Sequence, residues 1–202
     1  MRRAFDVAAA AAGLVLLAPL FLAVAIAIRA TSPGPVFFRQ ERVGQGGRTF
    51  RIHKFRTMRQ DAEAAGAQLT VAGDARVTRV GAWLRATKID ELPQLIDVLQ
   101  GSMALVGPRP EVPRYVAAYT PEQRRVLEVR PGITDPASIA YRDESAVLAA
   151  AADPERAYLA DVMPRKLAIN LAYQARRTLA SDVGVIFATL ARIVRRGERP
   201  TA

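Results

Sequence analysis

Two adjacent carboxylates, Asp90 and Glu91, are the residues in this sequence whose types and spacing most directly suggest chemistry. Three cations stand near them along the chain: Arg85, Lys88 and Arg109. Carboxylates held among fixed cations indicate chemistry on an anionic substrate, together with a divalent metal such as Mg²⁺, which binds carboxylate and phosphate oxygens. The alternative is an acidic helix cap followed by a surface glutamate, and an Asp-Glu pair on its own is typical of that arrangement.

The residues around this pair predict a short helix that would hold it in place. Asp90 suits the N-cap, because its side-chain oxygen can accept a free backbone N–H, and Pro93 then falls in the first turn. The apolar residues that should bury one face of the helix are Leu92, Leu95, Ile96 and Leu99. Gly101 is the expected C-terminal stop. The carboxylates should therefore lie at a helix N-terminus, where negative charge and bound phosphate are both favoured.

A rigid arginine loop is predicted downstream of that helix. Residues 103–106 indicate a short buried strand that leads into Gly107-Pro108-Arg109-Pro110. Pro108 and Pro110 restrict the backbone on both sides of Arg109, and a bidentate phosphate clamp needs such rigidity. A rigid loop with an exposed arginine fits the same residues.

The composition restricts the class of binding partner more than it restricts the type of reaction. The 202 residues suffice for one domain with a core, and the net charge of +10 indicates an anionic partner: nucleic acid, an anionic membrane surface or a phosphorylated metabolite. An aromatic content of 6% argues against a single-strand binder that stacks bases. The absence of cysteine excludes disulfides, thiolate catalysis and cysteine zinc sites. The single histidine, His53, excludes a multi-histidine metal site, and we expect it to have a core or hairpin role.

Residues 7–28 form an apolar segment without a charged or hydrogen-bonding side chain. As a helix, this segment would span about 33 Å, close to the thickness of a bilayer core. Pro19, preceded by Ala18, removes a helical hydrogen bond near its middle, so that each half is too short to cross. The flanking basic residues are Arg2 and Arg3 on one side and Arg29, Arg39, Arg42, Arg48 and Arg51 on the other. We therefore predict a re-entrant helix hairpin that keeps both flanks in the cytoplasm.

Three other structures fit the same apolar segment. A buried core helix would also be apolar on all sides. A cleaved signal peptide would suit the small residues at positions 25–27, although its apolar region is usually only about 7–15 residues long. A straight transmembrane span has a suitable length but would leave one basic flank outside.

The rest of the pattern predicts a β-hairpin followed mainly by helices. The expected strands are residues 36–38 and 50–55, joined by a glycine-rich turn at 44–47. Helices are expected at residues 61–69 and 76–87, from Thr120, from Asp153, at 165–179 and after a cap at Ser181, with residues 133–142 irregular. The last helix is amphipathic and basic, so it could lie on a membrane surface or pack on the domain core.

Several separate stretches, in the same order along the chain, resemble the bacterial sugar transferases of the monotopic polyprenyl-phosphate phosphoglycosyl transferase type. They are Arg3-Ala4-Phe5-Asp6, Gly34-Pro35-Val36-Phe37-Phe38-Arg39-Gln40-Glu41-Arg42-Val43-Gly44, Lys54-Phe55-Arg56-Thr57-Met58, Asp90-Glu91-Leu92-Pro93-Gln94-Leu95, Val106-Gly107-Pro108-Arg109-Pro110-Glu111 and Arg130-Pro131-Gly132-Ile133-Thr134. Each stretch is a weak signal alone, but together they cover most of the chain and are specific.

The resemblance implies an α+β, mostly helical fold with a short β-hairpin and surface amphipathic helices. Residues 1–30 would form a re-entrant membrane helix broken at Ala18-Pro19, and residues 31–202 a small catalytic domain, the two making one structural unit. This monotopic protein would sit on the bacterial inner membrane with its catalytic domain facing the cytoplasm. Its partners would be a nucleotide sugar, a polyprenyl phosphate and membrane lipid, with no nucleic acid, and it could form a homodimer.

The resemblance also implies a ping-pong reaction that begins membrane-associated polysaccharide or glycoconjugate synthesis. Asp90 would attack the β-phosphate of a nucleotide sugar, usually a UDP-sugar, and a polyprenyl phosphate would then take the phosphosugar from the aspartyl intermediate. Glu91, together with Asp90, would bind Mg²⁺ or Mn²⁺. The residues implied in phosphate binding are Arg109, Arg85, Lys54, Pro108 and Pro110. From the residues themselves, we expect the helix N-terminus and neighbouring arginines to keep Asp90 ionised.

The chain departs from the family pattern at three places. Ala18 stands where a serine often precedes the helix-breaking proline, and Gly101-Ser102-Met103-Ala104 replaces Gly-Asp-Met-Ser. Asp97 stands where an asparagine is usual. None of these changes the expected nucleophile, so we expect differences only in the details of metal or substrate binding. A non-catalytic basic protein that docks on a membrane or on nucleic acid is the alternative function, and the Asp-Glu pair discriminates against it.

Overall fold

The computed structural model describes residues 1–59 and 73–197. Within them the chain forms ten α-helices and four strands. The helices are α1 Arg2–Thr31, α2 Arg79–Thr87, α3 Gln94–Gln100, α4 Pro113–Ala117, α5 Pro121–Arg124, α6 Pro136–Ala140, α7 Glu144–Ala149, α8 Pro154–Ala157, α9 Met163–Ala175 and α10 Leu179–Gly197. The strands are β1 Phe37–Val43, β2 Thr49–Phe55, β3 Ala104–Val106 and β4 Gly132–Thr134. The mostly helical α+β class is confirmed.

The N-terminal apolar segment is a single helix, α1, which is long and apolar enough to cross a membrane. It remains helical through Ala18 and Pro19, both of which are exposed. A proline removes one hydrogen bond and bends a helix without having to end it, because the neighbouring turns still form. The helix therefore has no interruption at the predicted break, and the re-entrant hairpin stays a prediction.

Both halves of α1 pack against the rest of the chain. In the first half, Ala10 lies in a buried cluster with Ile52, Leu95, Val98 and Met103. In the second half, Val24 and Ile28 lie in another with Phe55 and Leu84. Polar contacts hold the start of α1 as well, since Asp6 Oδ1 accepts the Leu105 N–H at 3.3 Å. The helix is thus bound along its length to the elements that carry the Asp-Glu pair.

The predicted β-hairpin is confirmed and extends further than expected. β1 and β2 pair antiparallel from Phe37 opposite Phe55 to Val43 opposite Thr49. A turn of 3₁₀ helix at Gln45–Gly47, within the predicted glycine-rich stretch, joins them. β2 contributes Ile52 and Phe55 to buried clusters and Lys54 to a cleft.

The second sheet is a parallel pair: β3 confirms the short strand predicted at residues 103–106, whereas β4 lies where an irregular segment was predicted. Ala104 of β3 is in register with Gly132 of β4, and α6 follows directly. The prediction of irregular structure for residues 133–142 is wrong, because three-residue strands are too short to give a periodic pattern. The helix start was nevertheless readable, since Asp135 caps α6 by accepting the Ser138 N–H at 3.0 Å ahead of a proline.

The remaining helices form a third cluster behind β1. Its buried residues come mainly from α4, α9 and the segment between α8 and α9, and they include Tyr115, Tyr158, Val162 and Leu167. The capping box predicted at Thr120 is confirmed. The predicted boundaries of α9 and α10 are off by a few residues: α10 begins at Leu179, ahead of the cap expected at Ser181. The helix predicted at residues 61–69 lies outside the described residues.

Gly132, the first residue of β4, lies against the backbone of the loop that follows β3. This close contact leaves no room for a side chain at Gly132. A Cβ there would lie 2.1 Å from the backbone nitrogen of Gly107. Gly132→Ala should therefore destabilise the protein by about 3 kcal/mol or more through overpacking. The matched control is Gly184→Ala on α10, where no described residue lies within 4 Å of an added Cβ and about 0.5–1 kcal/mol should be gained. Thermal unfolding of both variants in detergent measures this, and equal midpoints would contradict it.

Candidate active site

The Asp-Glu pair lies on a tight turn and not on a helix end. Lys88 adopts a left-handed conformation with φ 61° and ends α2, and the turn of 3₁₀ helix Ile89–Glu91 follows. The prediction that Asp90 is an N-cap is wrong, because α3 begins only at Gln94 with Pro93 before it. The left-handed residue turns the chain within one position, which a pattern of apolar spacing does not reveal.

The buried face of α3 also differs from the prediction. Its buried residues are Gln94, Leu95, Asp97 and Val98, whereas Leu99 is 38% exposed. Two polar residues thus take places that we expected apolar residues to fill. Asp97 is satisfied there by His53 on β2, as the distance of 2.7 Å between Asp97 Oδ1 and His53 Nδ1 shows. The predicted core or hairpin role of His53 is confirmed.

Glu91 is the most strongly paired group of the site. Lys54 Nζ donates to Glu91 Oε1 at 2.9 Å, and Arg109 donates to both carboxylate oxygens at 2.6 and 3.2 Å. Burial alone would raise the pKa of Glu91, but Arg109 and Lys54 hold it well below its ordinary value. Glu91 in turn raises the pKa of Arg109. The glutamate is therefore an anion held between two cations from different parts of the chain.

Asp90 lies in a contrasting environment. Its side chain is buried, with the residue 7% exposed, and its Oδ1 has no hydrogen-bond partner among the described residues. Burial, and then the neighbouring Glu91 charge, raise the pKa of Asp90, while Lys54, Lys88 and Arg85 oppose that rise. The expectation that the surroundings keep this carboxyl ionised stays a prediction, and burial opposes it. Burial outweighs the cations, so Asp90 is a poorly solvated and weakly partnered carboxyl.

The cations around the pair are themselves partly desolvated. Burial lowers the pKa of Lys54 to about 8, although Glu91 opposes the shift. Burial also lowers the pKa of Arg85, whose Nε donates to Thr57 Oγ1 at 2.9 Å. Desolvated cations with few partners attract anionic ligands strongly, because little water has to be displaced from them. Lys54 and Arg85 therefore lie where the sequence placed them, beside the acidic pair.

The loop that carries Arg109 is held by the backbone of both its prolines. Pro108 O accepts the Gly132 N–H at 3.0 Å, which ties the loop to β4. Pro110 O accepts a hydrogen bond from Arg42 at 3.1 Å. The rigid arginine loop is thus present, and its guanidinium contacts Glu91. Sequence reasoning missed Arg42, and its place in the stretch from Gly34 to Gly44 was the signal that could have found it.

One open cleft brings together five of the predicted site residues, Lys54, Arg85, Asp90, Glu91 and Arg109. Its wall continues onto α1 through Phe5, Ala9 and Gly13, and onto α10 through Ile186 and Leu190. The described residues contain no group of three or more His, Cys, Asp or Glu side chains that could hold a metal on its own. A metal here would have to take ligands from a bound phosphate as well as from the pair.

Comparison with known proteins gives concordant matches. A family model described as bacterial sugar transferase matches residues 1–196. The UDP-N-acetylgalactosamine-undecaprenyl-phosphate N-acetylgalactosaminephosphotransferase of Aeromonas hydrophila is 41% identical over 96% of this chain and 44% of that protein. The UDP-glucose:undecaprenyl-phosphate glucose-1-phosphate transferase of Caulobacter vibrioides is 48% identical over 68% of this chain and 53% of that protein.

A further relative matches almost end to end. The exopolysaccharide production protein PSS of Rhizobium leguminosarum bv. phaseoli is 35% identical over 98% of this chain and 97% of its own length. The chain thus spans about half or less of the two transferases named above, and nearly all of the third protein.

Proposed function

The chain belongs to the bacterial sugar transferase family, and on that premise we propose that it transfers a sugar phosphate from a nucleotide sugar to a polyprenyl phosphate. Two similar proteins are named for UDP-sugars and undecaprenyl phosphate, which supports a UDP-sugar donor and an undecaprenyl phosphate acceptor. The observation that carries the proposal is Asp90: one of its buried carboxylate oxygens has no partner among the described residues and stands beside several cations, in a cleft bordered by α1 and α10. Such a group is suited to attack a phosphorus atom that those cations hold.

In the first step a carboxylate oxygen of Asp90 attacks the β-phosphorus of the donor. A bond forms between Asp90 and phosphorus, the bond from phosphorus to the bridging oxygen breaks, and the nucleoside monophosphate leaves with that electron pair. Arg109, Lys54 and Arg85 offset the charge of the phosphates, which lowers the barrier because the cations are already in place. The negative charge of the phosphates in turn stabilises the charged form of these buried cations.

In the second step a phosphate oxygen of the polyprenyl phosphate attacks the same phosphorus. The bond to Asp90 breaks, the carboxylate is regenerated, and the product is a polyprenyl diphosphate sugar. Asp90 and the polyprenyl phosphate attack phosphorus one after the other at the same site, so one set of cations can serve both half-reactions. The aspartyl phosphosugar has no nucleotide bonded to it, and free nucleoside monophosphate is therefore expected before any lipid acceptor is added.

A divalent cation fits the residues of this cleft. Asp90 Oδ1 lacks a partner among the described residues, and Glu91 supplies a second carboxylate. Mg²⁺ typically binds one or two carboxylates and completes its shell with waters and substrate phosphate oxygens. Bound Mg²⁺, or Mn²⁺ in its place, would polarise the phosphoryl oxygens and neutralise charge on the leaving group. Glu91 could turn toward such an ion because Arg109 and Lys54 have phosphate as an alternative partner.

The alkaline limb of the pH–rate profile should report Lys54. Its pKa of about 8 means that it loses its charge, its contact with Glu91 and its attraction for phosphate as the pH rises through that value. An ordinary lysine would stay charged until about pH 10.4. We expect kcat/KM, which reflects the free enzyme, to fall above about pH 8. In Lys54→Arg the limb should move to a higher pH, and a limb that stays in place would show that another group is responsible.

We further propose that α1 is a re-entrant, monotopic anchor in the bacterial inner membrane with the catalytic domain in the cytoplasm. The support is that both halves of α1 pack on one domain, so a straight span would require one half to leave its partners. Large apolar side chains are also exposed along α1, α2 and α10: Val15, Leu16, Leu22, Ile26, Trp83, Phe187 and Leu190. Aromatic and aliphatic groups of this kind favour the membrane interface.

The absence of cysteine makes this topology directly measurable. Ala4→Cys and Ala30→Cys place one thiol in an exposed position near each end of α1. A membrane-impermeant maleimide added to intact cells should label neither variant and should label both once the inner membrane is permeabilised. Labelling of only one of the two from the outside would show a straight span.

A screen of UDP-sugars for release of nucleoside monophosphate tests the proposed reaction. Purified protein with Mg²⁺ should release about one equivalent per enzyme from the right donor without acceptor, and should turn over continuously when undecaprenyl phosphate is added. Strict dependence of the first equivalent on the acceptor would contradict the two-step scheme. Failure with every donor, in a folded preparation, would contradict the proposed function.

A further inference from the structure

His53 and Asp97 form a buried pair that the proposed reaction does not use. Asp97 Oδ1 lies 2.7 Å from His53 Nδ1, and Asp97 Oδ2 accepts the backbone N–H of His53 at 2.8 Å. The two residues are 7% and 1% exposed, and the His53 ring packs edge-on to Phe37. Because both carboxyl oxygens are engaged, one to the side chain and one to the backbone, the pair fixes α3 against β2 in position and in orientation.

Each residue of this pair is close in sequence to a residue of the candidate active site. His53 is followed in β2 by Lys54, which donates to Glu91. Glu91 ends the 3₁₀ turn and Asp97 lies in α3, which follows it directly along the chain. Besides the buried cluster that Ile52 shares with Leu95 and Val98, β2 therefore has two polar contacts with this stretch, one to Glu91 in the cleft and one to Asp97 behind it. The second contact sets how far the backbone of Lys54 lies from the acidic pair.

We propose that His53 and Asp97 are positioning residues for the proposed transfer reaction. They hold β2 and α3 at the separation at which Lys54 reaches Glu91, and they thereby place the acidic pair relative to the phosphates. The inference rests on the proposed function. Its chemical reason is that the lysine side chain is long and rotatable, so its contact with Glu91 alone cannot fix the strand, whereas a two-point contact to a buried carboxyl can.

The His53–Asp97 pair differs from ordinary apolar core packing in its free energy of burial and in its directionality. An apolar pair would join β2 to α3 at least as well, because taking a carboxyl and an imidazole group out of water costs free energy that their pairing offsets only in part. Apolar packing tolerates small shifts, whereas two hydrogen bonds to one carboxyl are directional. A displacement of about 1 Å in a catalytic group can cost about 100-fold in rate. A directional contact next to the lysine is thus expected to affect turnover more than stability.

Three variants separate positioning from packing. Asp97→Leu removes both hydrogen bonds at similar volume, and it should lower kcat for nucleoside monophosphate release by about 10- to 100-fold, with a smaller change in KM. Asp97→Asn keeps an acceptor for the His53 N–H and an amide donor for Nδ1, and it should restore most of that loss. Val98→Ala, next to Asp97 on the same helix, removes buried apolar volume without touching the pair. It should lower the thermal midpoint and leave kcat close to wild type.

The outcomes distinguish this inference from the proposed function itself. An active wild type, with Asp97→Leu as active as Asp97→Asn, would overturn the positioning role and leave the transfer reaction standing. A wild type that releases no nucleotide from any donor would overturn both. If Asp97→Leu does not fold, His53→Phe and His53→Asn replace it. Only asparagine can put a polar group where Nδ1 lies, and equal kcat values for these two variants would again overturn the role.

Discussion

Asp90→Asn should fold and bind the membrane as the wild type does, and should release nucleoside monophosphate at least about 10⁴-fold more slowly. The amide has the same shape as the carboxyl group but cannot form the bond to phosphorus. The same change should leave the thermal midpoint equal or raise it, because it removes a buried carboxyl whose pKa is already raised by burial. Nucleotide release and thermal unfolding, measured on the same preparation, check both parts.

The matched control is Asp161→Asn, which removes a carboxylate from an exposed ion pair with Arg165. It should change neither turnover nor the thermal midpoint by a measurable amount, because exposed pairs contribute about 0–1 kcal/mol. If Asp90→Asn kept more than a few per cent of wild-type turnover, the covalent route through Asp90 would be wrong, whatever its stability.

Arg109→Lys should lower kcat/KM by about 10²- to 10³-fold, the loss expected when one fixed donor to the reacting group is removed. Lysine keeps the charge but cannot donate to both oxygens of a carboxylate or phosphate at once, as Arg109 does to Glu91. The loss should appear in the release of nucleotide as well as in complete turnover, because the same arginine is expected to hold phosphate in the first step. Steady-state kinetics with the preferred donor measure the effect.

Arg114→Lys is the control for that variant. Arg114 lies a few residues further on in α4, and its side chain is exposed and paired with Glu155. Replacing it should leave kcat/KM unchanged. Equal kcat/KM values for Arg109→Lys and wild type would show that the guanidinium serves only to neutralise Glu91, and that phosphate is bound elsewhere.

The parts of the fold that could be predicted are those specified by neighbouring residues. The hairpin followed from alternating strands around a glycine-rich turn, and the capping box at Thr120 from residues three apart. The stop at Gly101 followed from the left-handed conformation that glycine adopts there, with φ 89°. Local chemistry decides such features, so a single sequence suffices for them.

The pairing of β3 with β4 could not be predicted in this way. The two strands are three residues each and lie far apart in the chain, so their partnership depends on the close approach of Gly107 and Gly132. Nothing in a local pattern reveals that a glycine at one position faces the backbone of another. The packing of α1 could not be predicted from a local pattern either, because it depends on which distant residues its apolar side chains contact.

At the candidate site the residue types were predictable and their environments were not. Asp90, Glu91, Lys54, Arg85 and Arg109 do line one cleft, as the sequence led us to expect. The sequence pointed to a helix N-terminus that would stabilise negative charge on Asp90, whereas burial in a 3₁₀ turn raises its pKa. The contacts of Arg42 with Pro110 and of His53 with Asp97 join residues 68 and 44 positions apart. Their partners become visible only once the chain is folded.

The most direct test of the covalent route is to isolate the enzyme after reaction with the donor alone. Purified protein, Mg²⁺ and the preferred UDP-sugar, with no polyprenyl phosphate present, should yield a chain heavier by one sugar phosphate. Peptide mapping should place the added mass on Asp90, and later addition of undecaprenyl phosphate should remove it. An unmodified chain that has nonetheless released nucleoside monophosphate, or an adduct on any other residue, would contradict attack by Asp90.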